Sequence, residues 1–384
     1  MSRWSTTLIK GAAVTLCVYF LASILLTDRD AYSSTKQILN AGRHHLTEDT
    51  SYDHINNETL GFEKVYAIGL KERTDKRDFL SLAASLHGMK VKWMDGVHPD
   101  SIVEKAIPDK YNTSNSKPTV IACWRAHMNA LRDVVENGYA SALIMEDDAD
   151  WDVSVRQQLR EFARGVRTLT NTPKPPKDAP YGTDWDILWV GGCASGAADN
   201  ETSIYAIPND PTIPNSNHRV TWGGPPESWK QNHPELPENS TRYVYRAEMG
   251  CCLYGYAVSL EGAQRILAAL SVDHLDCAVD NAMSDLCAGS MGRPHLRCYA
   301  PFPNLIGTFK PQGFASRDSD IETYDGNAYH AAQAWNLVYS TRLNIQRLVR
   351  GDDVVVSQWE SEDWWSEKEV DMREFEYPGG FLVT

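Results

Sequence analysis

The sequence predicts an α/β protein with a mostly parallel, Rossmann-like sheet and flanking helices, preceded by one N-terminal transmembrane helix. Two observations lead to this prediction. Apolar, β-branched runs alternate with segments of helical periodicity through the middle of the chain, and an apolar stretch without charged residues lies near the N-terminus. Alternating strands and helices are typical of sheets whose parallel strands are joined by helical crossovers.

The overall composition excludes two classes of protein. Asp and Glu outnumber Lys and Arg by 51 to 37, which gives a formal net charge of −14 over 384 residues. Nucleic-acid binders usually present a basic surface, so no nucleic-acid partner is expected. The hydrophobic content of 42% argues against a disordered chain.

The N-terminal segment is predicted to anchor the protein in a membrane. Residues 11–27 carry no charge, and a stretch of this length suits a membrane span better than the shorter core of a cleaved signal peptide, which is the alternative. Arg3 and Lys10 precede the stretch, which predicts a cytosolic tail over residues 1–10 and type II topology. Residues 28–60 are polar and are interpreted as a stem.

Seven cysteines follow the predicted anchor. A lumenal location permits disulfides, and the odd number leaves at least one cysteine free or joined to another chain. The absence of a C-x-x-C pair argues against a zinc site.

The first half of the chain predicts three strands separated by helices. Strands are predicted where apolar runs end in glycine or a turn signal, and helices where apolar residues recur every three or four positions. In order, they are a strand at 64–70, a helix at 73–87, a strand at 91–95, a helix at 119–136, a strand at 141–145 and a helix at about 153–168. Gly138 ends the second helix.

The second half continues the alternation but contains two segments without it. Predicted are strands at 185–192, 253–259 and 296–301, and helices at 259–271, capped by Ser259, and 277–288. Residues 193–242 are rich in Pro, Asn, Gly and Ser and are predicted to be a loop insertion of a kind that often serves binding. Residues 311–384 are predicted to be a C-terminal extension, whose acidic part at 351–376 is either a docked helix or an interaction segment.

An acidic run follows the predicted strand at 141–145. Its members are Glu146, Asp147, Asp148 and Asp150. Adjacent carboxylates repel one another unless a cation or a basic group compensates them. Their oxygens suit Mg²⁺ or Mn²⁺, which could neutralise a diphosphate leaving group. The alternative is an acidic turn that caps the following helix.

Six segments, in order, resemble glycosyltransferase family 25, which includes lipopolysaccharide and procollagen β-galactosyltransferases. They are KVYAIGLKERTDKR (64–77), KWMDG (92–96), IACWRAH (121–127), ALIMEDDADW (142–151), YGYAVSLEGAQRIL (254–267) and AVDNAM (278–283). The resemblance covers about residues 62–310. It departs from the family at Ala122 and Ala126, where Gly and Ser are usual, and neither 193–242 nor the C-terminal extension has a counterpart.

The resemblance implies a GT-A-like fold in a catalytic domain over residues 61–310, a UDP-sugar donor and manganese or magnesium. Asp148 would be the main metal ligand. Glu146 would be a second ligand, or Glu146 and Asp147 would contact the ribose or metal-bound waters. Asp150 is the alternative ligand, because Asp148-x-Asp150 is a literal Asp-x-Asp motif.

Four further residues are candidates for binding the nucleotide. The resemblance favours Arg73 as a phosphate contact, whereas Arg77 is as readily explained as a solvated helix start. Asp95 would bind uracil or ribose, or it is a plain turn residue. His127 lies on the apolar stripe of its helix and is either a core residue or a wall of the donor site.

Inverting transfer requires a base that faces the acceptor hydroxyl, opposite the leaving phosphate. Asp280 matches the family's Val-Asp element and is the predicted catalytic residue. Asp276, one helical turn earlier, is the alternative.

The sequence thus predicts a type II membrane glycosyltransferase of the Golgi or endoplasmic reticulum, with a lumenal catalytic domain. It would transfer a hexose, with galactose as first choice, from a UDP-sugar to a glycan or glycoprotein acceptor. Two alternatives are open. A glycoside hydrolase needs two separated carboxylates and no metal. A non-catalytic lumenal sugar-binding protein could share the fold, because fold does not fix function.

Overall fold

The computed structural model describes residues 50–111, 117–322, 326–359 and 368–384. The chain divides into Met1–Thr50, of which only Thr50 is described, and Ser51–Thr384, to which the following description applies. The predicted tail and anchor, and most of the predicted stem, lie outside the described residues. Within the described ranges, no helix combines the length and apolar character that a membrane crossing requires.

The observed elements follow the predicted order and add several strands. The strands are β1 Lys64–Gly69, β2 Lys92–Asp95, β3 Ser141–Glu146, β4 Ala149–Trp151, β5 Ile187–Gly191, β6 Ala194–Ala197, β7 Ile204–Pro208, β8 Trp222–Gly224, β9 Thr241–Cys251, β10 Gly255–Ser259, β11 Cys298–Phe302, β12 Ile306–Lys310, β13 Gly313–Phe314, β14 Tyr329–His330, β15 Gln333–Ala334, β16 Val354–Val356, β17 Glu369–Asp371 and β18 Phe381–Val383. The α-helices are α1 Thr74–Leu86, α2 Pro118–Asn137, α3 Val155–Leu169, α4 Glu227–Asn232, α5 Leu260–Leu267, α6 Val279–Ala288 and α7 Ile345–Arg350. As predicted, Ser259 caps α5 by accepting a hydrogen bond from the Gly262 N–H.

The central sheet has the strand order β18-β7-β9-β11-β5-β10-β3-β1-β2. The pairs β1–β2, β1–β3 and β5–β11 are parallel, and the other neighbours along this path are antiparallel. It follows that β2, β1, β3, β5, β11 and β7 run in one direction, whereas β10, β9 and β18 run in the other. The sheet is therefore mostly parallel in strand direction, as predicted, although its neighbouring pairs are mixed.

Both faces of the sheet are buried. In β1, Tyr66 and Ile68 belong to one hydrophobic cluster, and Val65 and Ala67 belong to another. Successive strand residues point to opposite faces, so each face of the sheet has its own core. The helix α2 packs into the first core, and α1 and α3 pack into the second. This three-layer arrangement explains why the strands read as continuous apolar runs.

The prediction of a loop insertion at 193–242 is wrong. This segment contains β6, β7, β8 and α4, and β9 begins at its end. The strand β7 lies inside the central sheet between β9 and β18, and four of its five residues are buried. Frequent Pro, Asn and Gly between these short strands conceal their periodicity in the sequence.

The C-terminal extension is also part of the fold. The strand β18 pairs with β7, and the Gly380 N–H donates to Glu161 Oε1 at 2.7 Å. Where an acidic helix or interaction segment was predicted, β16 and β17 form an antiparallel pair, with residues 360–367 outside the described residues. The boundary at residue 311 therefore does not separate two structural units.

Two disulfides form, Cys193–Cys252 and Cys287–Cys298. Among the described residues, Cys123, Cys251 and Cys277 are free thiols, in agreement with the expectation from an odd number of cysteines.

His87 makes the stability of the folded protein sensitive to acid. Its Nε2 lies 2.9 Å from the Thr341 hydroxyl, and Arg156 donates to its carbonyl oxygen at 2.7 Å. Burial, together with the nearby charge of Arg156, lowers the pKa of His87 from 6.5 to about 4. The unfolded chain therefore takes up a proton first, so His87 lowers stability as the pH falls from about 6.5 toward 4.

We expect the free energy of unfolding to fall more between pH 7 and pH 5 in the wild type than in His87→Gln. Glutamine keeps a polar partner for Thr341 and does not titrate. Urea unfolding at the two pH values measures the difference. All other ionisable groups are common to both proteins, so equal losses would contradict the assignment to His87.

Candidate functional site

Two cavities open at the carboxyl ends of β1, β2 and β3. These strands are parallel, so their ends meet at one edge, with Gly69 beside Asp95 and Ile68 beside Glu146. The first cavity has a volume of about 220 Å³ and lies between these strand ends, α2 and Asp320. The second, of about 360 Å³, extends toward Asp280 and Trp335. Ligands of open α/β sheets bind outside the carboxyl ends of strands, which makes this edge the candidate site.

The two cavities share part of their walls. Cys123, Glu146, Asp148, Ser319 and Ile321 line both. We call the pair of cavities the cleft and the shared wall the junction. Two carboxylates of the predicted acidic run therefore lie where the two halves of the cleft meet.

Asp148 occupies the junction with an unsatisfied oxygen. Its Oδ1 is buried and has no hydrogen-bond partner among the described residues. Its carbonyl oxygen accepts from the Phe309 N–H at 2.8 Å, which ties the acidic run to β12. A buried carboxylate oxygen without a partner is costly, and a bound cation would satisfy it.

Asp147 lies beside Asp148 but is already neutralised. Lys76 Nζ lies 3.0 Å from Asp147 and also 3.0 Å from Asp320. Burial, opposed by the Lys76 charge and reinforced by Asp148, raises the pKa of Asp147 to about 6. A Cβ added at Gly69 would lie 2.6 Å from Asp147 Oδ2, so the end of β1 requires glycine at this position. Asp147 borders the first cavity as the partner of a lysine.

The structure separates Asp150 from the site. It is fully buried and lines neither cavity. It accepts hydrogen bonds from the Ser340 hydroxyl, the Trp151 N–H at 2.8 Å and the Arg342 N–H at 3.2 Å. The literal Asp-x-Asp motif thus places only its first residue in the cleft, because β4 turns the second toward β12 and the C-terminal region.

Arg73, Arg77 and Asp95 are not among the residues that line the cleft. Arg73 is paired with Asp320 at 2.5 Å and with Asp75 at 2.9 Å. Arg77 donates to the carbonyl oxygens of Gly69 and Leu70 and lies 2.7 Å from Asp95. The geometry thus makes Arg77 and Asp95 a clamp on the ends of β1 and β2, and it gives no support to their predicted contact with a nucleotide.

His127 does reach the cavity wall. Only 1% of the residue is exposed to solvent. Its Nδ1 lies 3.0 Å from the Tyr256 hydroxyl, and its Nε2 lies 3.4 Å from Glu146 Oε1. His127 is thus a core residue whose ring edge borders the first cavity, and its predicted contact with a donor stays a prediction.

The second cavity contains the predicted catalytic residue. Asp280 lies in the first turn of α6 and accepts from the Cys252 N–H at 3.0 Å. The alternative, Asp276, pairs with Arg293 at 2.9 Å and lines neither cavity. The geometry therefore favours Asp280 over Asp276.

Several cleft residues were not predicted from the sequence. Lys76 lies one residue before Arg77 in the sequence. Its contacts with Asp147 and Asp320, which only the structure shows, place it in the wall of the first cavity. Lys310, Asp318, Asp320 and Trp335 come from the region at and beyond the end of the resemblance. Lys310 Nζ lies 4.1 Å from the Trp335 ring centroid and 3.5 Å from Asp318. No local signal in the sequence distinguishes these residues from ordinary surface residues.

The junction fits a hard divalent cation. Asp148 and Glu146 offer carboxylate oxygens, the donors that Mn²⁺ and Mg²⁺ prefer. In the part of the chain that the structure describes, the buried Oδ1 of Asp148 has no hydrogen-bond partner. This donor set fits such a cation, and the metal itself stays a prediction.

Fold and site together define a Rossmann-like α/β protein with a two-part cleft and acidic side chains at its centre. No family model matches the chain. It is 20% identical over 228 residues to procollagen galactosyltransferase 1 of Danio rerio and 18% identical over 223 residues to procollagen galactosyltransferase 2 of Mus musculus, in each case over 55% of this chain. It is 23% identical over 162 residues to the inactive glycosyltransferase 25 family member 3 of Homo sapiens, over 39% of this chain.

These matches span 29%, 28% and 25% of the three relatives, so less than a third of each. The chain is thus distantly similar to family 25 glycosyltransferases and their relatives. This similarity supports a glycosyltransferase.

Proposed function

We propose that the protein is a metal-dependent, inverting glycosyltransferase that transfers a hexose from a UDP-sugar to a glycan or glycoprotein acceptor. The observation that carries this proposal is the meeting of two cavities at Glu146 and Asp148. A transferase must hold a donor and an acceptor on either side of one reacting carbon. Galactose is the first choice of sugar because the active relatives are named galactosyltransferases.

The first cavity suits the nucleotide. Its walls combine apolar side chains that can face a base with the Thr119 and Ser319 hydroxyls, which can bond a ribose. It opens at the junction, where the diphosphate would lie. Asp148 and Glu146 would hold manganese or magnesium there, and the cation would neutralise charge on the leaving UDP.

The second cavity suits the acceptor. Asp280 would take the proton from the acceptor hydroxyl as the new bond to the anomeric carbon forms and the bond to the UDP oxygen breaks. The Cys252 N–H holds one oxygen of Asp280, which fixes the orientation of the carboxylate. Trp335 offers an aromatic surface in the same cavity.

We further propose type II anchoring in the Golgi or endoplasmic reticulum membrane through residues 11–27. Two disulfides in the folded unit are compatible with a lumenal location, because cytosolic thiols are kept reduced.

The decisive experiment measures nucleotide release by the full-length chain in detergent micelles. A panel of UDP- and GDP-sugars is supplied with manganese and simple glycan acceptors, with and without EDTA. We expect EDTA-sensitive release from one UDP-hexose and sugar transfer to an acceptor. EDTA-insensitive release of free sugar would instead identify a glycoside hydrolase.

A thermal shift distinguishes the remaining alternative. Ligand that binds only the folded state raises the melting temperature. A rise with UDP and manganese but no turnover would identify a non-catalytic sugar-binding protein, an outcome that the inactive relative makes relevant. If UDP with manganese gives no thermal shift and no donor is turned over, the proposal is contradicted.

Asp280→Asn should reduce transfer by about 10²-fold, as expected for removal of a general base. The amide keeps the shape of the side chain and an acceptor for the Cys252 N–H, so the UDP–manganese thermal shift should persist. Asp285→Asn, on the same helix but outside the cleft, is the matched control. Equal activity of the two variants would exclude Asp280 as the base.

A further inference from the structure

Three side chains of different chemistry converge where the first cavity meets the junction. Cys123 and His127 are four residues apart on α2 and therefore share one face of the helix. Glu146 ends β3 opposite them. One sulfur, one ring nitrogen and one carboxylate oxygen from these residues all lie within 4.8 Å of one another.

The orientation of His127 suits a metal ligand. Its Nδ1 contacts the Tyr256 hydroxyl, and its Nε2 points to Glu146. Metal-binding histidines are usually oriented in this way, with one ring nitrogen bonded to a second group and the other free for the metal. Tyr256 is fully buried, so the ring has little freedom to turn.

The spacing is close to that of a zinc site. Zinc binds sulfur at about 2.3 Å and nitrogen or oxygen at about 2.0–2.2 Å, so tetrahedral ligand atoms stand roughly 3.5 Å apart. His127 and Glu146 are already 3.4 Å apart. The Cys123 sulfur lies within 4.8 Å of both ligand atoms, and zinc binding would draw it closer.

We propose that Cys123, His127 and Glu146 form a zinc site with one open coordination position that faces the cleft. A thiolate–imidazole–carboxylate set favours zinc over manganese or magnesium, which prefer oxygen ligands alone. On binding, the Cys123 thiol loses its proton to solvent as the zinc–sulfur bond forms. Cys123 and Glu146 line both cavities, so the metal and a fourth ligand can enter from solvent.

This zinc site overlaps the hard-metal site proposed above, because both use Glu146, but Cys123 and His127 belong to the zinc site alone. In the proposed transferase, zinc would therefore compete with manganese for one carboxylate. Zinc binding itself does not depend on transferase activity, and a direct binding experiment tests it whether or not the protein is an enzyme.

Cobalt is the spectroscopic probe for zinc. Metal-free, full-length protein is titrated with Co²⁺ under reducing conditions too mild to break the two disulfides. We expect a thiolate-to-cobalt charge-transfer band and tetrahedral d–d bands that saturate at one equivalent and disappear when zinc is added. No charge-transfer band in the folded protein would overturn the proposal.

Variants assign the band to this site. Cys123→Ser should abolish it, and Tyr256→Phe, which keeps the ring, should weaken zinc binding about 10-fold or more. Cys277→Ser and Cys251→Ser remove the other free thiols and should leave the band unchanged. Asp148→Asn should also keep it, because Asp148 belongs to the hard-metal site alone. A band that survives Cys123→Ser, or that is lost in folded Cys277→Ser, Cys251→Ser or Asp148→Asn, would overturn the assignment.

Discussion

Asp148→Asn is expected to lower sugar transfer by about 10²- to 10³-fold without loss of the fold. The cation that Asp148 would hold stabilises charge in the transition state, and loss of one such interaction costs this order of rate. The buried Oδ1 of Asp148 accepts no hydrogen bond from any described residue, so the amide breaks no such bond of that atom. It also removes a negative charge that repels Asp147 but attracts Lys76 and the buried Arg342, so we expect only a small change in the melting temperature of the metal-free protein.

The measurement is nucleotide release from the best UDP-sugar at saturating manganese, together with the thermal shift by UDP and manganese. Both should be lost in Asp148→Asn. In Asp280→Asn, by contrast, only turnover should be lost. This difference separates a metal ligand from a base.

Asp150→Asn is the matched control, because the two residues stand two positions apart in the same acidic run. Asp150 is fully buried and accepts three hydrogen bonds, two of them from Ser340 and Arg342. We expect this variant to lose stability and to bind UDP with manganese as the wild type does while folded. Loss of the thermal shift in folded Asp150→Asn but not in Asp148→Asn would reverse the assignment of the metal ligand.

Arg242→Met should destabilise the protein by about 3–5 kcal/mol, because it leaves a buried aspartate without its cation. Arg242 and Asp210 are both fully buried and lie 2.6 Å apart. Arg242 also donates to the carbonyl oxygens of Pro303 and Asn304, the residues that connect β11 to β12. The strand β12 pairs with β4, which follows the acidic run. Through its contacts with the β11–β12 connection, Arg242 therefore links β9 to the region beside the cleft.

Urea unfolding at pH 7 gives the change in unfolding free energy. The double variant Arg242→Met/Asp210→Asn should be more stable than Arg242→Met alone, because it removes the uncompensated charge. Arg373→Met, which breaks an exposed pair with Asp371, should change little. A double variant no more stable than the single one would contradict the buried-charge explanation.

The first three strands and their order were predictable from the sequence, as were α2 and the acidic run. Each depends on local patterns: an apolar strand ending in glycine or acid, or an apolar stripe along a helix. Since parallel strands end at one edge, the position of Glu146 and Asp148 at the carboxyl edge of the sheet also followed.

The strands β7 and β18 were not predictable in the same way. They are short, interrupted by turn residues, and far apart in the sequence, yet they pair in the central sheet. The partners of charged side chains were equally hidden. Arg73, for which the resemblance favours a phosphate contact, pairs with Asp320, which lies 247 positions further along the chain.

Local pattern determined β1, β2, β3, α2 and the position of the acidic run, because hydrophobic periodicity and strand ends are properties of neighbouring residues. The tertiary structure alone decided that Asp148 faces the cleft while Asp150 is held by Ser340, and that Cys123, His127 and Glu146 meet although no C-x-x-C motif is present. The physical reason is that side-chain direction and charge pairing depend on residues brought together by folding, here from a helix, a strand and the C-terminal region.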